Sequence, residues 1–149
     1  LQAQGDETKF YAEDVAYYVT TANDGYSGDL EIAVIPDAFR KDVLKEAEDE
    51  TDKVLVERSN VETARFALLF EFSGDVKATR HVLYNCSCSR PSITSSTINN
   101  AKTPSTDTLT VTASPLSDGR VKAKTTSGTS EEKYNGWYQS VWEPAAAGV

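Results

Sequence analysis

Few residues in this chain have side chains that could do chemistry: there is one histidine, two cysteines and a run of acidic residues. A nucleophilic site would have to be built around His81, because a Ser or Cys nucleophile needs a base beside it. On a regular strand His81 lies on the face opposite Cys86 and Cys88, so a Cys–His pair would need a bulge that shifts the register. We therefore predict that the chain is not an enzyme and that His81 lies at a surface or interface.

Metal and cofactor sites are disfavoured by the same set of residues. One histidine and two cysteines leave a zinc site one ligand short of four. The acidic residues 46–52 lack the central Gly and the terminal bidentate Glu of an EF-hand loop, and the sequence has no Gly-rich phosphate loop. Cys86 and Cys88 are expected to share a strand face with Val82 and Tyr84, where small thiols pack as weakly apolar groups. We expect no cofactor and no metal.

Composition limits the partners of the chain. Its 149 residues are typical of one domain, and 23 acidic against 15 basic residues give a formal net charge of -8. That sign is wrong for binding DNA through counterion release. No apolar run approaches the ~18 residues of a membrane span, so we expect no membrane insertion. Methionine is absent, which predicts that the visible N-terminus is not the start of the gene.

Alternation of apolar and polar residues predicts a mainly β fold with one flanking α-helix. Strands are expected at 8–21, 28–35, 65–73 and 77–90, with the last two forming a hairpin through Gly74-Asp75. The second arm of that hairpin is long enough to project or to bend with a bulge. A helix is expected at 37–48, with Asp37 as its cap.

The second half of the chain is more polar. Residues 91–105 are rich in Ser, Thr, Asn and Pro and predict a long loop that is mobile in the isolated subunit. A second hairpin is expected from 108–113 and 120–125, in which Arg120, Lys122 and Lys124 line one face and pair with acidic groups. A short helix leading into a strand is expected within 131–142. The domain is predicted to span residues 1–144, followed by a frayed tail at 145–149.

Four stretches resemble the major tail proteins of siphophages that infect Gram-positive bacteria, of the phi13 type. They are AQGDETKFYAEDVAYYV from Ala3, GYSGDLEIAVIPDAFRKDVL from Gly25, FALLFEFSGDVKATRHVLYNCSCSRPS from Phe66, and the closing TLTVTASPL with YNGWYQSVWEP. They follow the family's order over nearly the whole chain. Relatives carry additional N-terminal residues, including a strand, that are missing here.

The resemblance implies a tail-tube-type β-sandwich or barrel subunit with a long projecting hairpin or loop. Such subunits assemble as stacked hexameric rings that form the conduit for genome delivery. The implied partners are other copies of the chain, the tape measure protein, the tail terminator and distal tail or baseplate proteins. Double-stranded DNA would pass through the lumen without specific binding. The implied location is the virion tail, and the host cytoplasm during assembly.

Two groups of residues are candidates for assembly contacts. The polar segment 89–108 is expected to contact the adjacent ring, through Arg90, Ser92, Thr94, Asn99, Asn100 and Lys102. Polar strand positions are expected to line the lumen or a ring interface, namely Asp29, Glu31, Lys77 and Thr79. An acidic bore would repel phosphates and let the duplex slide.

Three other interpretations remain open. The chain could be a β-sandwich binding or adhesion module that displays Trp137, Tyr138 and Trp142 to carbohydrate or a cell surface, although clustered aromatic rings usually pack inside proteins. It could be a hydrolase if His81 had a nucleophile beside it. It could also be the tube protein of a tail-like injection device, which the sequence does not distinguish from a phage tail.

Overall fold

The computed structural model describes residues 1–4, 7–12, 15–21, 23–93 and 106–145, and between residues 4 and 22 it describes the backbone alone. Ten strands and two short helices occupy these ranges, which confirms a mainly β fold. The strands are β1 Gln2–Gln4, β2 Glu7–Ala12, β3 Val15–Thr21, β4 Gly25–Ile32, β5 Ala47–Glu48, β6 Leu55–Val56, β7 Phe66–Glu71, β8 Arg80–Cys88, β9 Asp107–Ala113 and β10 Lys122–Lys124; the helices are α1 Asp37–Asp42 and α2 Glu131–Asn135.

Six strands form one antiparallel sheet in the order β1-β4-β9-β8, with β7 and β10 also paired to β8. The predicted hairpin of β7 and β8 is confirmed, with shorter strands than expected. Strand β4 begins at Gly25 and ends at Ile32, before the predicted end at residue 35.

The predicted hairpin between 108–113 and 120–125 is wrong, because β9 and β10 do not pair with each other. Both pair with β8 from the same side, β9 with its end and β10 with its beginning. Backbone hydrogen bonds from Ser114 N–H to the Asn85 carbonyl (2.9 Å) and from Tyr84 N–H to the Val121 carbonyl (3.1 Å) mark where the chain leaves β8 and returns. The residues between these two hydrogen bonds therefore leave the edge of β8 and return to it, so that β9 and β10 occupy two separate parts of the same edge.

The predicted single strand at 8–21 is also wrong, because the chain reverses between Ala12 and Val15. Strands β2 and β3 pair with each other and with no other described strand. Their register continues that of β1 with β4, from Gln2 opposite Ser27 to Ala12 opposite Val15, with small slips along the way. Strands β1 and β4 belong to the six-stranded sheet, whereas β2 and β3 form a two-stranded sheet of their own.

A bulge in β8 decides which side chains share a face. Phe66 pairs with Cys86 and Leu68 pairs with Leu83, so between these pairs one residue of β7, Ala67, lies opposite two residues of β8. The extra residue reverses the alternation. Consequently Leu83, Cys86 and Cys88 pack in one core cluster, whereas Val82 and Tyr84 pack in another. The predicted common face for the two cysteines with Val82 and Tyr84 is therefore wrong.

The first core cluster lies on the apolar face of the sheet and is partly covered by α1 and its flanking residues. Phe39 of α1 packs edge-on against Phe66, with ring centroids 5.4 Å apart. Ile35 and Leu44, which flank the helix, are fully buried in the same cluster. The second cluster lies on the opposite face, where Trp137 packs beneath the C-terminal segment.

Helix α1 is shorter than the predicted 37–48. Its N-cap is Pro36 rather than Asp37, and Lys45 adopts a left-handed backbone conformation (φ 59°) just after the helix. The helix ends there because Leu44 packs into the core. The acidic residues that follow have no apolar side chains that could pack if the helix continued. They lead into the short hairpin of β5 and β6 instead.

Helix α2 confirms the predicted short helix, and the Ser130 hydroxyl caps it by accepting from the Lys133 N–H (3.4 Å). No strand follows it in residues 136–145. Within the described ranges, neither helix has the length and apolar character that crossing a bilayer requires.

Candidate functional site

One half of the sheet carries a polar face opposite the apolar core. Asp29 and Glu31 of β4 are exposed there, and the Thr110 hydroxyl of β9 donates a hydrogen bond to the Asp29 carboxylate (2.9 Å). The Thr106 hydroxyl donates to the Glu31 carboxylate. Thr112 of β9 continues the same row. The structure therefore places the two predicted lumen acids side by side on a hydroxyl-rich surface.

Lys77 and Thr79 do not belong to that surface. Both precede β8, which begins at Arg80, so they lie in the turn after β7 and not on a strand. The Lys77 ammonium forms an ion pair with Glu131 of α2 (2.7 Å) and lies 4.6 Å from the centre of the Tyr134 ring. The prediction that these two are strand positions is therefore wrong, whereas their assignment to the lumen or a ring interface stays a prediction.

Arg90 is engaged within its own chain. Its guanidinium donates to the backbone carbonyls of Leu44 (3.0 Å) and Val61 (2.8 Å) and lies 3.7 Å from the Glu57 carboxylate. It thereby ties the loop between α1 and β7 to the end of β8. Ser92 is exposed, as an interface residue requires. The other inter-ring candidates, Thr94, Asn99, Asn100 and Lys102, lie outside the described residues.

The aromatic residues near the C-terminus are used for packing. Trp137 is 4% exposed, and its ring N–H donates to the His81 carbonyl (3.3 Å). Trp142 stacks on it with ring centroids 6.4 Å apart. Arg80 lies over the rings of both Tyr134 and Tyr138, at 4.0 and 5.0 Å. These contacts occupy the flat ring surfaces that a sugar-binding platform would need to expose.

The environment of His81 does not favour catalysis. The imidazole stacks on Phe70 at 5.1 Å, and burial, followed by the charges of Lys122 and Lys124, lowers its pKa below the usual value. Burial raises the pKa of the Cys86 thiol to about 11, so the thiol stays protonated and unreactive at neutral pH. The bulge does return Cys86 to the face of His81, as a Cys–His pair would need, yet the imidazole packs on aromatic rings.

On the outer side of β4, strand β1 pairs as far as Ser27 in the described structure. The Ser89 N–H bonds to the Thr110 carbonyl, so the backbone groups of Thr110 point toward β8 and away from β4. Because bonding sides alternate along antiparallel strands, the backbone groups of its partner Asp29 point away from β9. The backbone N–H and C=O of Glu31, two residues further along β4, also point away from β9. Strand β1 ends its pairing at Ser27, so no described strand accepts these groups.

The opposite edge of the sheet, at β7, is open by the same reasoning. The Thr125 N–H bonds to the Arg80 carbonyl, so the backbone groups of Arg80 point away from β7. Its partner Glu71 therefore presents its N–H and C=O outward, as does Leu69 opposite Val82. Among the described strands, β7 pairs with β8 alone. Sequence alternation identified these strands but gave no sign that they would lie at the edges.

A trough lies on the apolar face, beside the part that α1 covers, and within the described residues no element closes it over. It encloses about 370 Å³ between β4 and the paired strands β7 and β8. Its floor and walls are apolar and aromatic, and Lys122 and Leu1 lie at its rim; the other lining residues include Tyr26, Leu30, Leu68, Phe70, Phe72, His81, Leu83 and Val111. Phe72 remains 68% exposed at its end. Sequence analysis did not predict this feature.

The three basic residues near β10 have separate roles. Arg120 precedes the strand and forms ion pairs with Asp118 (2.6 Å) and with Glu143. This confirms pairing with acidic groups for Arg120. Lys122 and Lys124 instead lie opposite Leu83 and His81 on the trough face, and the Lys122 ammonium is 4.6 Å from the Tyr26 ring centre.

Within the described ranges, no group of three or more His, Cys, Asp or Glu side chains could hold a metal ion. The surface features of the described residues are an unpaired strand edge at β7, a polar acidic face and an apolar trough. Comparison of the chain with protein-family models, with curated proteins and with solved structures finds no match.

Proposed function

We propose that this chain is a structural subunit of a tail tube of the siphophage type, which assembles as stacked hexameric rings and conducts the genome. The observation that carries the proposal is the edge strand β7, whose outward backbone groups pair with no strand in the described structure. Unpaired backbone groups at a sheet edge are a template for pairing with another chain. The resemblance of the sequence to major tail proteins supports the same conclusion.

Ring formation follows from the geometry of the two edges. Because β7 lies at one side of the sheet and β4 with its partner β1 at the other, pairing the β7 edge of one copy with the opposite side of the next copy is a head-to-tail contact. Such contacts close into rings when the rotation per copy permits. Closing the six-stranded sheet into a ring would pair the outer edge of β7, which pairs with no strand in the described single copy.

The proposed ring has a wide bore. Four strands span the sheet from β4 to the edge at β7, in the order β4, β9, β8 and β7. Six copies would supply about 24 strands, more than the 16–18 that already enclose a water-filled channel in porins. In this proposal, strands from neighbouring subunits together form the sandwich or barrel of the tail tube.

The polar face around Asp29 and Glu31 is the surface we assign to the bore. Carboxylates there repel DNA phosphates, which allows the duplex to slide without being held. The tape measure protein would fill the same bore before ejection, and the terminator and distal tail proteins would cap the two ends. The tube belongs to the virion tail and is assembled in the host cytoplasm.

The test is to block one edge without disturbing the sheet. Glu31→Pro removes a backbone N–H that points outward, and so leaves the bonds between β4 and β9 intact. We expect this variant to remain folded but to form no rings or tubes in negative-stain microscopy under conditions where the unsubstituted protein does. Glu31→Ala is the matched control, because it removes the carboxylate and keeps the N–H.

The two variants distinguish the role of the Glu31 backbone N–H from that of the Glu31 carboxylate. Assembly of Glu31→Ala together with failure of Glu31→Pro supports edge pairing. Normal tubes from Glu31→Pro would overturn the assignment of the β4 edge. A stable monomer of the unsubstituted protein that binds glycans through its aromatic residues would favour the binding module instead.

A further inference from the structure

We propose that residues 131–143, which we call the strap, hold the edge of β7 in the form that a second copy pairs with, so that assembly depends on the strap being docked on the sheet. The strap consists of α2 and the segment that follows it, and it lies on the face of the sheet that carries the second core cluster. The inference rests on the proposed function, because it concerns the regulation of the same edge. It makes Arg80 and Tyr138 positioning residues for strand pairing, which act through Glu71.

Side chains, rather than strand pairing, attach the strap to the sheet in the described structure. The backbone hydrogen bonds of the strap run within it or to Ser130, which caps α2. Helix α2 contributes no buried residue, and Trp137 is the buried side chain of the strap. An element joined by few buried groups opens at a lower free energy than the core of its domain. We therefore expect the strap to detach before the sheet unfolds.

The strap holds the two residues that present backbone groups at the edge of β7. The Glu71 carboxylate accepts hydrogen bonds from the Tyr138 hydroxyl (3.0 Å) and from Arg80 Nε (2.8 Å). Leu69 packs against the second cluster, to which Trp137 belongs. Residues two apart on a strand point to one face, so the side chains of Leu69 and Glu71 both lie toward the strap.

Arg80 connects the strap to the strand beside β7. It lies directly opposite Glu71 in the pairing of β7 with β8. Its guanidinium donates to the Tyr134 carbonyl and lies over the rings of Tyr134 (4.0 Å) and Tyr138 (5.0 Å). Arg80 and Tyr138 therefore fix the Glu71 carboxylate together, and loss of either one releases part of that hold.

An ordered edge lowers the cost of pairing. A strand that frays must be fixed in one backbone conformation before it bonds to a neighbour, which costs conformational entropy at each residue. An edge that the strap already holds avoids that cost, so a second copy binds it more tightly. The contacts to Leu69 and Glu71 are made through their side chains, and their outward N–H and C=O groups pair with no described strand. The strap thus supports the edge without occupying it.

Hydrogen exchange of the isolated subunit tests the hold on β7. Phe70 lies opposite His81, and its N–H bonds into the sheet because its two neighbours on β7 point outward. Tyr138→Ala removes the hydrogen bond to Glu71 and one of the two rings over Arg80. We expect the Phe70 amide to exchange about tenfold faster in this variant, since one hydrogen bond and one cation–π contact no longer oppose opening of the edge.

The tryptophans report whether the strap is docked. Trp137 and Trp142 are the two tryptophans of the chain, and their rings stack with centroids 6.4 Å apart. The near-ultraviolet circular dichroism of this pair should weaken in Tyr138→Ala. Gln139→Ala is the matched control, because Gln139 is an exposed residue of the same strap. It should change neither the dichroism nor the exchange of the Phe70 amide.

Assembly is then measured on the same variants. We expect Tyr138→Ala to raise the protein concentration needed for ring formation by about tenfold, whereas Gln139→Ala should leave it within about twofold. Val43→Ala, in the first core cluster, controls for loss of stability as such and should also stay within about twofold. Tyr138→Phe removes the hydroxyl and keeps the ring over Arg80, so the rise should be about threefold. Tyr138→Phe decides the question if Tyr138→Ala does not fold.

The outcomes distinguish this inference from the proposed function. Faster exchange at Phe70 together with impaired assembly supports the inference. Unchanged exchange overturns it, and so does faster exchange with assembly at the concentration of the unsubstituted protein; tubes in either case leave the proposed function standing. Faster exchange in a protein that forms no rings even when unsubstituted would show that the strap holds β7, and would overturn the proposed function together with the dependence of assembly on the strap.

Discussion

Replacing Arg90 distinguishes an internal clamp from an assembly contact. The sequence predicted this residue as an inter-ring contact, whereas the structure shows its guanidinium donating to the carbonyls of Leu44 and Val61. Arg90→Met keeps much of the apolar stem and removes both donors. Leu44 is fully buried, so leaving its backbone carbonyl without a hydrogen-bond donor lowers the free energy of unfolding.

The magnitude follows from these contacts. A hydrogen bond to a charged group contributes about 1.5–3 kcal/mol, and the Arg90 side chain is 25% exposed, so water recovers part of the loss. We expect Arg90→Met to lower the free energy of unfolding by about 3 kcal/mol. For a chain of this size that corresponds to a fall in Tm of about 6–12 °C.

Thermal and urea unfolding followed by circular dichroism measure this effect. Glu57→Ala is the control, because the Glu57 side chain is 51% exposed and its ion pair with Arg90 should contribute less than about 1 kcal/mol. The clamp is refuted if Arg90→Met unfolds within about 1 kcal/mol of the unsubstituted protein. If Arg90→Met kept the stability of the unsubstituted protein but did not assemble, Arg90 would be an assembly contact, as the sequence predicted.

Two further predictions concern charge. Asp29→Lys with Glu31→Lys should slow DNA ejection from tails that carry the variant, because cations on the polar face would hold phosphates; unchanged ejection kinetics would remove this face from the bore. The lowered pKa of His81 means that the unfolded chain binds the proton first, so the free energy of unfolding should fall as pH drops from about 6.5 toward the pKa of the folded state. His81→Gln should lessen that loss in urea titrations, and equal pH profiles for the two proteins would contradict the reasoning.

Local sequence signals predicted several elements correctly. The alternation of Phe66, Leu68 and Phe70 indicated β7, and Gly74 gave the turn into β8, where it adopts a positive φ of 126°. The same reasoning identified β4 and β9. Gly25 adopts a positive φ of 114° at the start of β4, where a side chain would collide with the Ala113 carbonyl.

The errors share a physical cause, which is that pairing depends on residues far away in the chain. The segments 108–113 and 120–125 suggested a hairpin, yet both bond to β8, where the Ser114 N–H donates to the Asn85 carbonyl and the Tyr84 N–H donates to the Val121 carbonyl. The bulge in β8 depends on how β7, β9 and β10 share one strand. No local pattern in the sequence RHVLYNCSC shows where the extra residue falls.

By itself, the sequence determined that this chain is acidic, rich in strands and sparing in groups that could do chemistry, because composition and alternation are local properties. Only the tertiary structure decided which strands lie at the sides of the sheet, which part of the apolar face α1 covers, and that Lys122 borders an apolar trough. Those features depend on the neighbour that each strand acquires, and the free energy of strand pairing is spread over residues that the sequence places far apart.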